Sequence, residues 1–258
     1  MLTVVPDPAV ACGFVNEPVG THTSRTIMVP ELRMLLAAVA STAEYPTIRA
    51  AVVDDNVCGK ATVSGRRELF RRLSELYSFR SDAAIYRAFR LLWNTDAPDA
   101  PLLAMLLACA RDPLLRSTAP IVLDAAPGDH LTPHELADVV EAAFPFRYSP
   151  IIRSSAGRHT IASWAQSGHL RGRATKIRAC AEAGPASTAF ALYLGYLCGS
   201  RGIGLYSTLW ARILDAEPAS IDRHAFAAAQ HGWLDYRRID DVVDLGFGYL
   251  DAACRSAR

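Results

Sequence analysis

SWAQSGHLRGRATKIR, residues 163–178, is the stretch on which the fold assignment turns. It opens as an amphipathic run through Trp164 and Ala165 and breaks at Gly168. Leu170 then stands as a single apolar anchor, followed by Arg171, Arg173, Lys176 and Arg178 with apolar residues between them. A helix stopped by glycine and continued as a short basic ribbon matches a winged-helix unit, which sets a helix in a DNA groove and basic residues near phosphates. The same letters also fit a helix, a turn and a solvated basic edge in an ordinary helical domain. Trp164 and Leu170 are expected in the core in either case.

A related pattern recurs downstream. Ala165-Gln166-Ser167-Gly168-His169-Leu170-Arg171-Gly172-Arg173 aligns with Ala229-Gln230-His231-Gly232-Trp233-Leu234-Asp235-Tyr236-Arg237, sharing AQxGxLxxR at a helix end before a ribbon. Two winged-helix-like units are therefore expected, although convergence on a good helix stop produces the same match. The second ribbon carries Asp235, Asp240, Asp241 and Asp244, which oppose phosphate, so the first unit is the one expected to face DNA.

Charge is local rather than global. The 258-residue chain has a net charge of +1, which excludes a uniformly basic nucleic-acid coat. Yet Arg147 to Arg178 contains Arg147, Arg153, Arg158, Arg171, Arg173, Lys176 and Arg178 and no Asp or Glu. Between Thr95 and Phe144 acids dominate. With 51% hydrophobic and 21% charged residues, a folded body is expected. The six cysteines form no CxxC pair and are expected as free thiols in a reducing cytoplasm. No signal peptide is read at the start, and Leu102–Ala110 and Ala189–Cys198 are about half the length of a membrane span, so no membrane partner is expected.

Helices dominate the rest. Residues 1–25 carry Pro and Gly without periodicity and read as a loose arm, ahead of an N-terminal helical domain over 26–146 and a C-terminal domain over 147–258. Pro30 and Pro46 open the first two helices, and Ser64 is expected to cap GRRELFRRLSELY, whose Leu69, Phe70, Leu73, Leu76 and Tyr77 form a buried stripe. Arg66, Arg67, Arg71 and Arg72 fall around its other side, as in a basic helix of a helix-turn-helix or in a plain solvated face. Ser81 is expected to cap the next helix, and PLLAMLLACARD, apolar nearly all round, to lie centrally. Thr132-Pro133-His134-Glu135 predicts a capping box with Pro in the first turn, and Tyr148-Ser149-Pro150 a hinge. Ser207 and Ser220 are expected to cap the later helices.

No catalytic constellation emerges. Gly59-Lys60 lacks the rest of a P-loop, GxSxG and HExxH are absent, and neither lysine stands two residues after an acid. His130, His134 and Glu135 suggest metal ligands only until Glu135 is recognised as the capping residue. No enzyme activity, cofactor or metal is expected.

On the block Asp54–Tyr77 and the block running from Ser154 to Asp215, the sequence resembles the BrxA family, small accessory proteins of BREX bacteriophage-exclusion systems. The resemblance runs from about Ile27 to Phe247 and rests mostly on helix stripes and stops. It implies a mainly helical, non-enzymatic protein with duplex-DNA affinity that works beside other proteins of a defence system. By position it favours Arg66, Arg67, Arg71 and Arg72 in the first block, and Arg158, Gln166, Arg171, Arg173 and Lys176 in the second, as DNA-binding residues. A protein-interaction adaptor docking through its winged-helix-like units, with Trp233 and Tyr236 exposed, is the alternative.

Overall fold

A computed structural model describes residues 4–18, 20–80, 83–240 and 242–255, the last three by backbone alone. The expected cap Ser81, the ribbon residue Asp241 and the Cys254 side chain lie outside the described residues. The chain is mainly helical with two small antiparallel sheets, as its periodicity predicts.

The N-terminal portion runs through α1 (Asp7–Ala11), a 3-10 turn (Thr21–Thr23), α2 (Val29–Ala38), α3 (Tyr45–Val53), α4 (Val63–Tyr77) and α5 (Ala84–Leu92). The central α6 (Ala100–Arg111) is buried on nearly every side, as an all-apolar helix must be. The α4 stripe of Leu69, Phe70, Leu73, Leu76 and Tyr77 is buried, but Thr62 rather than Ser64 caps the helix, accepting from the Gly65 amide at 3.0 Å. Likewise Thr208 rather than Ser207 caps α12 (Leu209–Ile213), and α13 (Pro218–Gln230) starts after Glu217, ahead of Ser220. In each case a Pro or another hydroxyl within two residues of the expected cap takes the helix start.

The described residues of the N-terminal segment are not a loose arm. Val5, Ala9, Phe14, Thr21 and His22 are buried, and Phe14 packs edge-on to Trp210 at 5.4 Å. The order comes from tertiary partners rather than from periodicity, so the local sequence carried no sign of it. One continuous apolar core runs from Val5 to Leu250.

The middle of the chain builds a compact unit in the order α7 (Pro113–Ser117), α8 (Ala119–Leu123), β1 (His130–Leu131), α9 (Pro133–Ala143), α10 (Pro150–Gln166), β2 (Leu170–Arg171) and β3 (Lys176–Arg178). The strands form one antiparallel sheet in the order β1-β3-β2, with Leu131 opposite Lys176 and Leu170 opposite Arg178. The boundary expected after residue 146 falls inside this unit, between α9 and α10. A small core of Leu114, Val140 and Ala156 joins α7, α9 and α10. The capping box is present: the Glu135 amide donates to Thr132 Oγ1, and Glu135 Oε2 accepts from the Thr132 amide at 2.7 Å.

The later portion contains α11 (Pro185–Leu197), a 3-10 segment (Gly202–Ser207), α12, α13, the hairpin of β4 (Asp235–Ile239) and β5 (Val242–Gly246), and α14 (Gly248–Arg255). The repeated AQxGxL pattern has a shared physical basis. Gly168 (φ +92°) and Gly232 (φ +73°) both take the left-handed conformation just past α10 and α13.

The α9–α10 crossing depends on Gly157. A Cβ there would stand 2.1 Å from the Pro133 carbonyl oxygen and 2.9 Å from Ala137 Cβ. Gly157→Val is expected to force the two helices apart and cost at least about 1–3 kcal/mol. Urea unfolding followed by circular dichroism checks it, a wild-type midpoint refuting the close-crossing account.

Candidate nucleic-acid interface

α10 is capped by Ser149, whose hydroxyl accepts from the Ile152 amide at 3.4 Å, so the expected hinge is the helix start itself. Trp164 is fully buried and donates its indole N–H to Thr118 Oγ1 at 2.8 Å, and Leu170 is buried as expected. On the solvent side lie Ile151, Ser154 and Arg158. Arg158 donates to Ser154 Oγ at 2.8 Å and to Ser155 Oγ at 2.7 Å. An open groove of about 390 Å³ separates the start of α9 from α10, lined by His134 and Asp138 on one wall and Arg153, Ser154 and Arg158 on the other.

In the loop joining β2 and β3, Arg171 and Arg173 are exposed. Lys176 is half-buried, and its Nζ donates to the Gly172 carbonyl at 2.5 Å, tightening the loop. Arg178 belongs to the core instead: it is 3% exposed and grips Asp215 with both Nη atoms, at 2.8 and 2.7 Å.

The first basic block is largely engaged within the fold. Arg71 forks onto Glu68 at 2.9 and 2.8 Å, and Arg72 reaches Glu68 at 2.9 Å, Glu75 at 3.4 Å and the Gly20 carbonyl at 3.0 Å. The Arg71 guanidinium, seconded by Arg72, holds the Glu68 carboxyl down to about 2. Arg66 donates to the Val53 and Lys60 carbonyls at 3.3 and 3.4 Å. Arg67 alone of the four is exposed with no such bond described. Gln166 is also committed internally, its Oε1 accepting from the Val29 amide at 3.1 Å and its Nε2 donating to Thr26 Oγ1 at 3.0 Å. Three expected DNA contacts, Arg66, Arg72 and Gln166, thus hold segments of the chain together.

The structure also assembles a group that no linear motif announces. His22 Nδ1 lies 2.6 Å from Asp112 Oδ2, and His22 Nε2 lies 3.0 Å from Ser163 Oγ, in the outline of a Ser-His-Asp triad. All three are fully buried. Ser163 Oγ accepts the Ile27 amide at 3.0 Å and donates its one proton to the His159 carbonyl at 2.8 Å. The three side chains are closed off from solvent and tie the N-terminal segment, the corner between α6 and α7, and the end of α10 together.

Among the described residues, no cluster of three or more His, Cys, Asp or Glu is placed to hold a metal. His134, 86% exposed, pairs with Asp138 at 2.9 Å, and Glu135 closes the capping box. Among the described residues, no helix is long and apolar enough to cross a membrane.

The second hairpin has a different surface. Asp222 accepts from Tyr206 and Tyr236 at 3.0 and 2.9 Å and pairs with Arg238 at 2.9 Å. Trp233 and Tyr236, expected to be exposed, are half-buried, Trp233 stacking on His231 and Tyr236 meeting Phe226 edge-on. Ile239 and Val242, paired across the hairpin tip, are 77% and 70% exposed. No protein-family model matches the chain, and no curated protein matches it significantly.

His169, immediately before β2, is fully buried, edge-on to Trp164 at 4.8 Å, with Nε2 2.9 Å from the Ile213 carbonyl. Burial pushes its pKa from 6.5 down to about 4, against the pull of Asp215. Between those values the unfolded chain binds a proton that the folded chain refuses. Stability is therefore expected to fall by roughly 3 kcal/mol as pH drops from 6.5 to 4. His169→Gln should flatten that part of the profile in urea titrations at pH 7.5 and 4.5; an unchanged slope would remove His169 as its source.

Proposed function

We propose that this protein is a non-catalytic duplex-DNA-binding accessory protein of a bacterial anti-phage defence system, of the BrxA-like kind. The unit from α7 to β3 serves as a winged helix, with α10 as the groove helix and the loop between β2 and β3 as the wing. The observation that carries the proposal is the order helix-β1-α9-α10-β2-β3 with its three strands in one sheet, bearing exposed Arg158, Arg171 and Arg173 in a segment without acids. Helix-turn-helix units present cations in this way, the helix toward base edges and the wing toward phosphates. Other proteins of the defence system are the partners in this proposal, and no cofactor takes part.

A second function, docking of a partner protein, draws on the exposed Ile239–Val242 pair and the neighbouring Asp240 and Asp244. That hairpin suits an apolar contact with a basic rim better than phosphate. Stable co-purification with a neighbouring gene product, lost on Ile239→Asp, tests it; retention in the variant counts against it.

Duplex binding is expected to weaken steeply as salt rises, because released counterions supply much of its free energy. Arg171→Glu with Arg173→Glu should lower affinity on the order of a hundredfold near 0.1 M salt while leaving circular dichroism unchanged. The double variant is preferable to one that includes Lys176, which also fastens Gly172. Fluorescence anisotropy with labelled duplex makes the measurement, and wild-type affinity in the double variant refutes the wing.

A further inference from the structure

α10 leaves one strip of its surface uncovered, and the chemistry of that strip suits base edges better than phosphates. Ile151, Ser154, Ser155, Arg158 and Ala162 recur at helical spacing along it. Ile151 is 80% exposed, Ser154 and Arg158 are exposed, and Ser155 and Ala162 are half-buried. Beyond Ile151, and Ile152 at its edge (41% exposed), nothing on the strip except Arg158 is longer than serine. A helix is about 10–12 Å across with its side chains, and a major groove about 12 Å wide, so a face of small residues lets the axis come close to the bases.

Arg158 is also held in place. Its two bonds to the Ser154 and Ser155 hydroxyls fold the guanidinium back along the helix by about one turn. This restricts the side chain before any ligand arrives and leaves further N–H groups free for a planar, two-point acceptor. Asp138, the carboxylate lining the same groove, is paired with His134 at 2.9 Å.

On the duplex-binding function proposed above, we propose that Arg158 reads guanine through O6 and N7, with Ile151 packing on a thymine methyl nearby. The protein then binds selected sequences rather than any duplex. Guanine O6 and N7 are the pair of acceptors that a guanidinium fork matches, and an apolar side chain answers the thymine methyl. The fork sits level with Ser154 and Ser155, three to four residues from Ile151, or roughly 5–6 Å along the axis. At about 3.4 Å per step, guanine and thymine lie one to two base pairs apart. Arg171 and Arg173 on the wing contribute affinity without sequence preference.

The test is selection from a random duplex library, followed by anisotropy on the enriched duplex and on a scrambled one. The probes are wild type, Arg158→Lys, Arg158→Ala and Ile151→Ala. Wild type should enrich a site containing guanine with thymine one or two steps away, and replacing that guanine by 7-deazaguanine should weaken binding about tenfold. Arg158→Lys keeps the charge, so it should bind the scrambled duplex like wild type and lose the guanine preference. Ile151→Ala should relax selection at the thymine alone. Duplex binding with no enriched base, or the same site enriched by Arg158→Lys, overturns base reading and leaves duplex binding standing. No binding to any duplex at low salt overturns both.

Discussion

The buried contact of His22 with Asp112 and Ser163 is the constraint on which the rest of the structure depends. It joins three parts of the chain that are distant in sequence: the N-terminal segment, the corner between α6 and α7, and the last turn of α10. Asp112 caps α7 through the Leu114 amide at 2.9 Å, and Ser163 holds the Ile27 amide, so each partner organises its own backbone as well. Tyr77 adds its hydroxyl to the Ile27 carbonyl, and Gln166 grips the start of α2. Removing one member leaves buried polar groups without partners, which is costlier than never having placed them there. The geometry resembles a catalytic triad because a hydroxyl, an imidazole and a carboxylate satisfy one another well, whether or not chemistry follows.

Charge in this molecule is divided by what already answers it. Arg71, Arg72 and Arg178 have carboxylate partners, and Arg66 has carbonyls. Arg171 and Arg173 lie exposed in a segment that contains no acid. A near-neutral chain thereby presents a local cationic surface. On the second hairpin Arg238 is drawn to Asp222, leaving Asp240 and Asp244 near an apolar tip. Two segments with the same helix stop therefore carry opposite surfaces.

How far the sequence was legible varies with the range of the interactions. The α4 stripe, the all-apolar α6, the capping box at Thr132 and the two glycine stops were readable because each is settled within one or two helical turns. The N-terminal segment was not, because its order comes from Asp112, Ser163 and Trp210, far along the chain. Strand β1 is two residues long and exists only through pairing with β3. The exposed strip of α10 was also hidden: with Ile151 outside and Trp164 inside, its apolar residues mark no single face.

By itself, then, the sequence determined the helical class, the helix stops at Gly168 and Gly232, and the acid-free cationic segment from Arg147 to Arg178. Those are properties of composition and of short-range spacing. Only the tertiary structure decided which arginines are engaged, that Gln166 is a clasp, that Ser163, His22 and Asp112 meet, and which side of α10 faces outward. Each of those depends on partners tens of residues or more away in the chain, and a hydrogen-bond donor is free or engaged only once its neighbours in space are in place.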